Sequence, residues 1–277
     1  MMKSLFSPRR SCPAMICGLA LAGALAALPA PAAELQPHRA LYSASLRDPS
    51  PSGPITGISG TLVISLERSC DGWLMGQQML LDISAGGRGI HQDARFTSWE
   101  SLDGHNLRFA KREKTGSQDN GLKGAAAVTG TGGGGNIRYQ FPKDEVVSLP
   151  PGTLFPIGHM RSLIASAEAG EQVNTQIVFD GTTPDGAQRI STFIGPRREM
   201  GKGVAQTFGP LIARPAWPMR LAIFPLGSRT AEPAYEAEVL QLDNGVVGAM
   251  GLDMAGVKMD LKLEKLEALP DPKCPKN

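Results

Sequence analysis

Most of this 277-residue chain alternates apolar and polar residues with period two, and one stretch does not. Between Gly158 and Gly170 the sequence runs H-M-R-S-L-I-A-S-A-E-A. Met160, Leu163, Ile164 and Ala167 recur there at the spacing of one helical face. Gly158 stands where an N-cap would, and Gly170 where a C′ glycine would close the helix. Pro150, Pro151 and Pro156 exclude regular structure just before it. His159 opens the helix, where its ring could bond a backbone group and fix the entry; a ligand or catalytic role is the alternative. A single amphipathic helix among one-sided strands has to bury its face against them.

The strands follow in hairpins. His38 to Leu46 alternates, with Ala40, Tyr42, Ala44 and Leu46 on one face. Ile58, Leu62, Ile64 and Leu66 line the next strand, and Cys70-Asp71-Gly72 turns it back through Trp73 to Ser84. A second hairpin turns at Asp103-Gly104. Leu122 to Thr129 reads as a weak strand, Asn136 to Phe141 and Val146 to Leu149 as short ones. Beyond the helix, Val173 to Phe179, Gln188 to Ile194, Trp217 to Phe224 and Ala234 to Asp243 alternate, with a looser region from Gly195 to Pro215. Asn244-Gly245 signals a type I′ turn. The last strand sets Val257, Met259, Leu261 and Leu263 against Lys258, Asp260, Lys262 and Glu264. No strand–helix–strand alternation occurs, so the sheet is predicted to be antiparallel. A sandwich has no natural place for a mid-chain amphipathic helix. A barrel's open end can be plugged by one, and a barrel also hides its edges.

The first residues read as an address. Lys3, Arg9 and Arg10 form a positive segment, Met15 to Leu28 an uncharged apolar run, and Ala30-Pro31-Ala32 a cleavage site. Residues 1–32 are therefore expected to be a signal peptide, and residues 33–277 one β-barrel-like domain. The apolar run is too short for a confident membrane span and no second one of 18 residues follows. Removing the leader takes three positive charges from a net +2 and leaves the rest near −1. That gives no electrostatic footprint for nucleic acid. It also leaves Cys70 and Cys274. An even count in an oxidising compartment argues for a disulfide, with two free thiols as the alternative. The bond would staple the tail to an early turn.

Catalytic constellations are missing. Gly130 to Gly135 matches a phosphate-loop string, but a strand-like segment follows where the chemistry needs a helix. His38, His91, His105 and His159 show no metal-ligand spacing. Neither G-x-S-x-G nor S-x-x-K occurs. No metal or cofactor is expected. Met75, Met79, Met219, Met254 and Met259 fall on faces read as inward. They fit a core, or alternatively a lumen that accepts an apolar ligand.

Several marks then line up in order. They are Pro37-His38-Arg39-Ala40-x-Tyr42, Cys70-Asp71-Gly72-Trp73, Phe155-Pro156-x-x-His159 with Leu163-Ile164, and Phe179-Asp180-Gly181. Trp217-Pro218, Pro233-x-Tyr235, Asn244-Gly245 and Cys274 complete the set. In this the chain resembles the EipB-like family of periplasmic β-spiral proteins of the Gram-negative cell envelope, over nearly all of its length after the leader. The resemblance implies a mostly β fold, an antiparallel, broken, spiral-like barrel with one central amphipathic helix. It implies a Cys70–Cys274 disulfide, a periplasmic location and a part in envelope integrity without enzymatic activity. The expected mode of action is binding, to an envelope protein or to a lipid or peptide in the barrel interior, by a monomer. Enzymatic action on envelope polymers is the remaining alternative. The residues expected to matter are Cys70 and Cys274 as the staple, and His159, Met160, Leu163, Ile164 and Ala167 as the helix seat and possible binding surface.

Overall fold

The computed structural model describes residues 34–49, 54–130, 132–254 and 257–275. The segment read as a signal peptide lies outside the described residues. The first half of the chain forms β1 (His38–Leu46), β2 (Ile55–Arg68), β3 (Gly72–Ala85), β4 (Arg88–Ser101), β5 (Asn106–Thr115), β6 (Gln118–Val128), β7 (Gly135–Phe141) and β8 (Glu145–Leu149). Helix α1 (Pro156–Glu168) follows, then β9 (Val173–Val178), β10 (Gln188–Ile194), the two-residue β11 (Arg198–Glu199) and helix α2 (Lys202–Phe208). A 3-10 turn over Pro210–Ile212 leads into β12 (Pro215–Pro225), β13 (Tyr235–Leu242), β14 (Val247–Met254) and β15 (Val257–Ala268).

All the described strands join one sheet in the order β8-β7-β6-β5-β4-β3-β2-β1-β15-β14-β13-β12-β10-β9, with β11 beside β12. Every pairing of strands is antiparallel. β1 lies between β2 and β15, so the earliest and latest strands meet inside the sheet. The two edges, β8 and β9, are successive strands of the sequence, and the chain between them carries α1. The sheet is thus a barrel broken at one seam, with the helix placed at the break.

Alternation decides which face is filled. β1 buries Ala40, Tyr42 and Ala44, and β15 buries Met259, Leu261 and Leu263. Leu62 and Leu66 of β2 and Trp73 and Leu81 of β3 point the same way. The seam is bridged as well as plugged. The Leu154 N–H donates to Ile177 O at 2.9 Å, and the Phe179 N–H donates to Leu154 O at 2.9 Å. Phe179 then reaches the far half of the sheet, where it meets Phe109 and Tyr139 edge-on at centroid distances of 5.3 and 6.4 Å. Gly181 lets that loop approach. Its φ is +76°, and a Cβ there would lie 2.7 Å from the Phe109 ring.

Five expectations are corrected. Helix α1 begins at Pro156, with Phe155 in the cap position, so Gly158 is its third residue and not its cap. Proline fits there because the first helical residue needs no N–H. A second helix, α2, occupies the region read as loose. Met200, Val204, Ala205 and Phe208 pack with Ile212 on the cluster of Leu62, Leu81 and Met259. Glycines at 201, 203 and 209 hide that short amphipathic pattern from a reading of the sequence. β6 is an eleven-residue strand although its Gly and Ala content reads as weak. Asn244-Gly245 does not form a type I′ turn: only Gly245 has positive φ, +88°, and its N–H donates to Leu242 O. That is a type I turn closed by a left-handed glycine. Met254 is 46% exposed and is not part of the interior, while Met219 and Met259 are buried.

Candidate functional site: the helix at the seam

The first turn of α1 is held by a residue from a distant strand. Glu100, at the end of β4, is paired in register with Trp73 on one side and Leu107 on the other. All three side chains are buried. The Ile157 N–H donates to Glu100 Oε2 at 2.7 Å, and the Gly158 N–H donates to Glu100 Oε1 at 2.9 Å. A helix leaves its first N–H groups without internal partners. Pro156 has none to leave, and the one carboxylate takes the next two. Phe155 supplies no side-chain cap, so Glu100 does the work of an N-cap residue from 57 positions away. The helix dipole favours negative charge there. Burial opposes it more strongly, and the Glu100 carboxyl is pushed up to about 7 despite both backbone bonds and the nearby Arg161.

Arg161 stands one turn on, half-buried, its charged form disfavoured by burial. Its guanidinium lies 5.9 Å from the Trp73 ring centroid, and that of Arg68 lies 5.4 Å from the same ring. The far end of the helix closes in a Schellman motif. Gly170, at φ +78°, donates its N–H to Ala167 O, and the Glu171 N–H donates to Ser166 O at 2.9 Å. The Gly170 expectation is met.

The helix touches the sheet on two flanks. Ile157, Met160 and Ile164 pack with Leu66 and Trp73 of β2 and β3. Leu163 and Ala167 pack with Ile194, Trp217 and Met219 of β10 and β12. Leu163, Ile164 and Ala167 are buried and Met160 is half-buried. On the polar stripe, Asn174 Nδ2 donates to Ser166 Oγ at 3.0 Å and to Ser162 Oγ at 3.3 Å. His159 is buried, its pKa lowered by burial to about 4, and its Nε2 finds no hydrogen-bond partner among the described residues. It therefore does not anchor the helix entry through that nitrogen; Glu100 is the anchor. No short-range motif marks Glu100, because its partners lie in another part of the sequence.

Cys70 and Cys274 form a disulfide with Cα atoms 5.5 Å apart and a sequence separation of 204. It ties the tail to the β2–β3 turn. Beside that turn the Leu102 N–H donates to Asp71 O, which couples it to the β4–β5 turn and so to the strand end carrying Glu100.

Elsewhere, a groove of about 510 Å3 is lined by Phe193, Pro218, Leu240 and Gly251. Arg198 also lines it, and the charges of Arg47, Arg220, Glu238 and Asp260 pair with one another. Arg47 crosses over Gly251 to bind Glu238 at 2.9 Å and Asp260 at 2.7 Å, and Arg220 also binds Glu238. Among the described residues no group of three or more His, Cys, Asp or Glu side chains is placed to hold a metal. No described helix is long and apolar enough to cross a membrane.

Comparison with known proteins follows the same outline. The sequence model of the EipB-like family matches residues 29–270. The cell envelope integrity protein EipB of Brucella abortus is 26% identical over 250 residues, covering 87% of each chain. The crystal structure of a β-barrel-like protein of a domain of unknown function, also from Brucella abortus, superposes with a TM-score of 0.79 at 24% identity. It covers 86% of this chain and 100% of that one.

Proposed function

The chain belongs to the EipB-like family, and on that footing we propose that it supports the integrity of the cell envelope from the periplasm, without catalysis, by binding a partner protein or an envelope component. The relative from Brucella abortus carries that role in its name. The disulfide suits an oxidising compartment, and a cleaved leader over residues 1–32 with a single domain over 33–277 completes the reading.

The observation that supports the binding mode is the packing of both helices on the inner face of the sheet. α1 and α2 lie on the same face of the sheet, against Leu66 and Trp73 in one case and Leu62 and Leu81 in the other. The surfaces left for a partner are the outward ones. A carrier of a lipid or apolar peptide in the interior would need space that these helices occupy, and the methionines at 219 and 259 are core residues.

Deleting the gene should sensitise cells to an envelope-directed detergent, and the full chain should restore resistance. Crosslinking in intact cells followed by capture should recover the same envelope component repeatedly. Unchanged resistance together with empty captures would contradict the proposal.

A further inference from the structure

The outward face of β3–β8 carries an excess of positive charge that the interior does not explain. Reading across the register, one row runs Leu74, Trp99, Arg108, Ala125, Arg138 and Val146. The next outward rows add Lys123 with Phe141, then Arg95 with Arg112, and then Lys114. Six cations thus share the face with two acids, Asp93 and Asp119. Those acids are taken up locally: Asp93 by Arg95 at 3.2 Å, and Asp119 by Arg112 at 2.7 Å. Arg108, Lys123 and Arg138 make no ion pair among the described residues. Further acids, Glu67 beside Leu74 and Asp82 on β3, stand only at the border of the face.

The same face exposes apolar side chains: Leu74 at 43%, Phe141 at 52% and Val146 at 57%. Arg108 stacks on Trp99 at 5.0 Å, with the Asp71 carboxylate near both, so this cation is presented on an aromatic plate and is partly offset by one acid at the edge of the face. Between them lie Gly121, Ala110 and Ala125, which leave the surface low. Phe141 lies across Gly121, whose Cβ would come 2.9 Å from its ring. A shallow groove of about 450 Å3 runs past Leu74, Trp99, Arg108 and Lys123. The outward side of β12–β15 differs, since its Arg220, Lys258 and Lys262, and Arg47 reaching over it from the end of β1, are each matched by Glu or Asp.

We propose that this face docks the protein on an anionic phospholipid bilayer surface, with Arg108, Lys123 and Arg138 on the headgroups and Leu74, Phe141 and Val146 at the acyl boundary. The proposal deepens the binding reading above and rests on it. Six strands at about 4.8 Å spacing span roughly 25 Å. Cations and apolar groups are spread over that width and not aligned along one channel, which suits a plane better than a thread-like polymer. Cations near a negatively charged leaflet and apolar groups at the headgroup boundary are the two contributions that hold a peripheral protein.

The test is co-sedimentation of the purified protein with vesicles of phosphatidylglycerol and phosphatidylethanolamine, against vesicles of phosphatidylcholine alone. Binding is expected only to the anionic vesicles, and it should fall as salt rises. The Lys123→Gln/Arg138→Gln double variant should weaken it about thirtyfold, on the order of 1 kcal/mol for each cation. The Lys258→Gln/Lys262→Gln variant, which removes as much charge from the other side, should leave it unchanged. Equal loss in both variants, equal binding to neutral vesicles, or binding to soluble polyphosphate but not to vesicles would each overturn the proposal. If vesicles fail while crosslinking in cells still recovers an envelope component, only the membrane surface is wrong. If both fail, the binding reading falls with it.

Discussion

Glu100 Oε2 accepts the N–H of Ile157 at 2.7 Å, which joins the end of one strand to the start of a helix 57 residues later. That bond sits at the seam of the barrel. It converts a helix lying at an open edge into one fixed in depth and direction, and it does so with a buried carboxyl group.

The buried carboxyl makes stability depend on pH. The Glu100 carboxyl lies at about 7 in the folded protein against an ordinary 4.5. The folded state thus holds this proton more tightly, and stability from this group is lost as pH rises from 4.5 to 7. The change amounts to about 3 kcal/mol at most. Glu100→Gln keeps the shape but loses the titration and one acceptor. In urea unfolding, the variant should be clearly weaker than the parent at pH 5, with the gap narrowing at pH 8. A gap that widens at pH 8 would reverse the sign and contradict the assignment.

His159 works in the opposite direction. Its pKa is lowered from 6.5 to about 4 by burial. The unfolded chain takes up a proton there first, so stability is lost as pH falls from 6.5 towards 4. His38 is lowered by the same cause. The Glu100 and His159 effects overlap between about 4.5 and 6.5 and offset each other in the parent. His159→Phe should therefore remove one of the opposing contributions, so that on lowering the pH through that window the variant gains stability relative to the parent, with His38 still opposing. Calorimetry at several pH values reads this directly.

Much of this fold is legible in the sequence. Period-two alternation marks most strands, because a sheet with one filled face must alternate, and it assigns Ala40, Tyr42, Leu62 and Leu261 correctly to the inside. The apolar stripe of α1 is legible for the same reason. The short α2 is not, since glycines interrupt its pattern and its burial comes from residues far away in sequence. β6 escapes notice because Gly124 and Ala126 face the interior, where Phe109 and the neighbouring rings leave little room. Glu100 is invisible locally. A single acid at a strand end looks like solvated surface until the helix it caps is put in place.

Removing the staple should cost a great deal. Cys70→Ser or Cys274→Ser opens a cross-link with a sequence separation of 204. On the chain-entropy account that is worth up to about 5 kcal/mol. A melting temperature lower by roughly 10 °C or more is expected under oxidising conditions. Both single variants should match the parent treated with reductant. Variants that melt like the oxidised parent would show that the bond does not stabilise the fold.

The helix seat can be graded by substitution. Ile164 is fully buried between α1 and Trp73, so Ile164→Ala should cost about 2–5 kcal/mol. Met160 is half-buried, and Met160→Ala should cost less. Gly158→Ala goes the other way. Its Cβ would sit at an ordinary 3.6 Å from Glu100 Oε1 and relieve the helix of a glycine, for a gain of about 0.5–1 kcal/mol. Urea titrations of the three variants give the order directly.

Amide hydrogen exchange at Ile157 and Gly158 reads the Glu100 cap itself. Both amides should be protected nearly as well as those of β3 and β4, and Glu100→Ala should release them while the strands stay protected. Free exchange at both positions in the parent protein would contradict it.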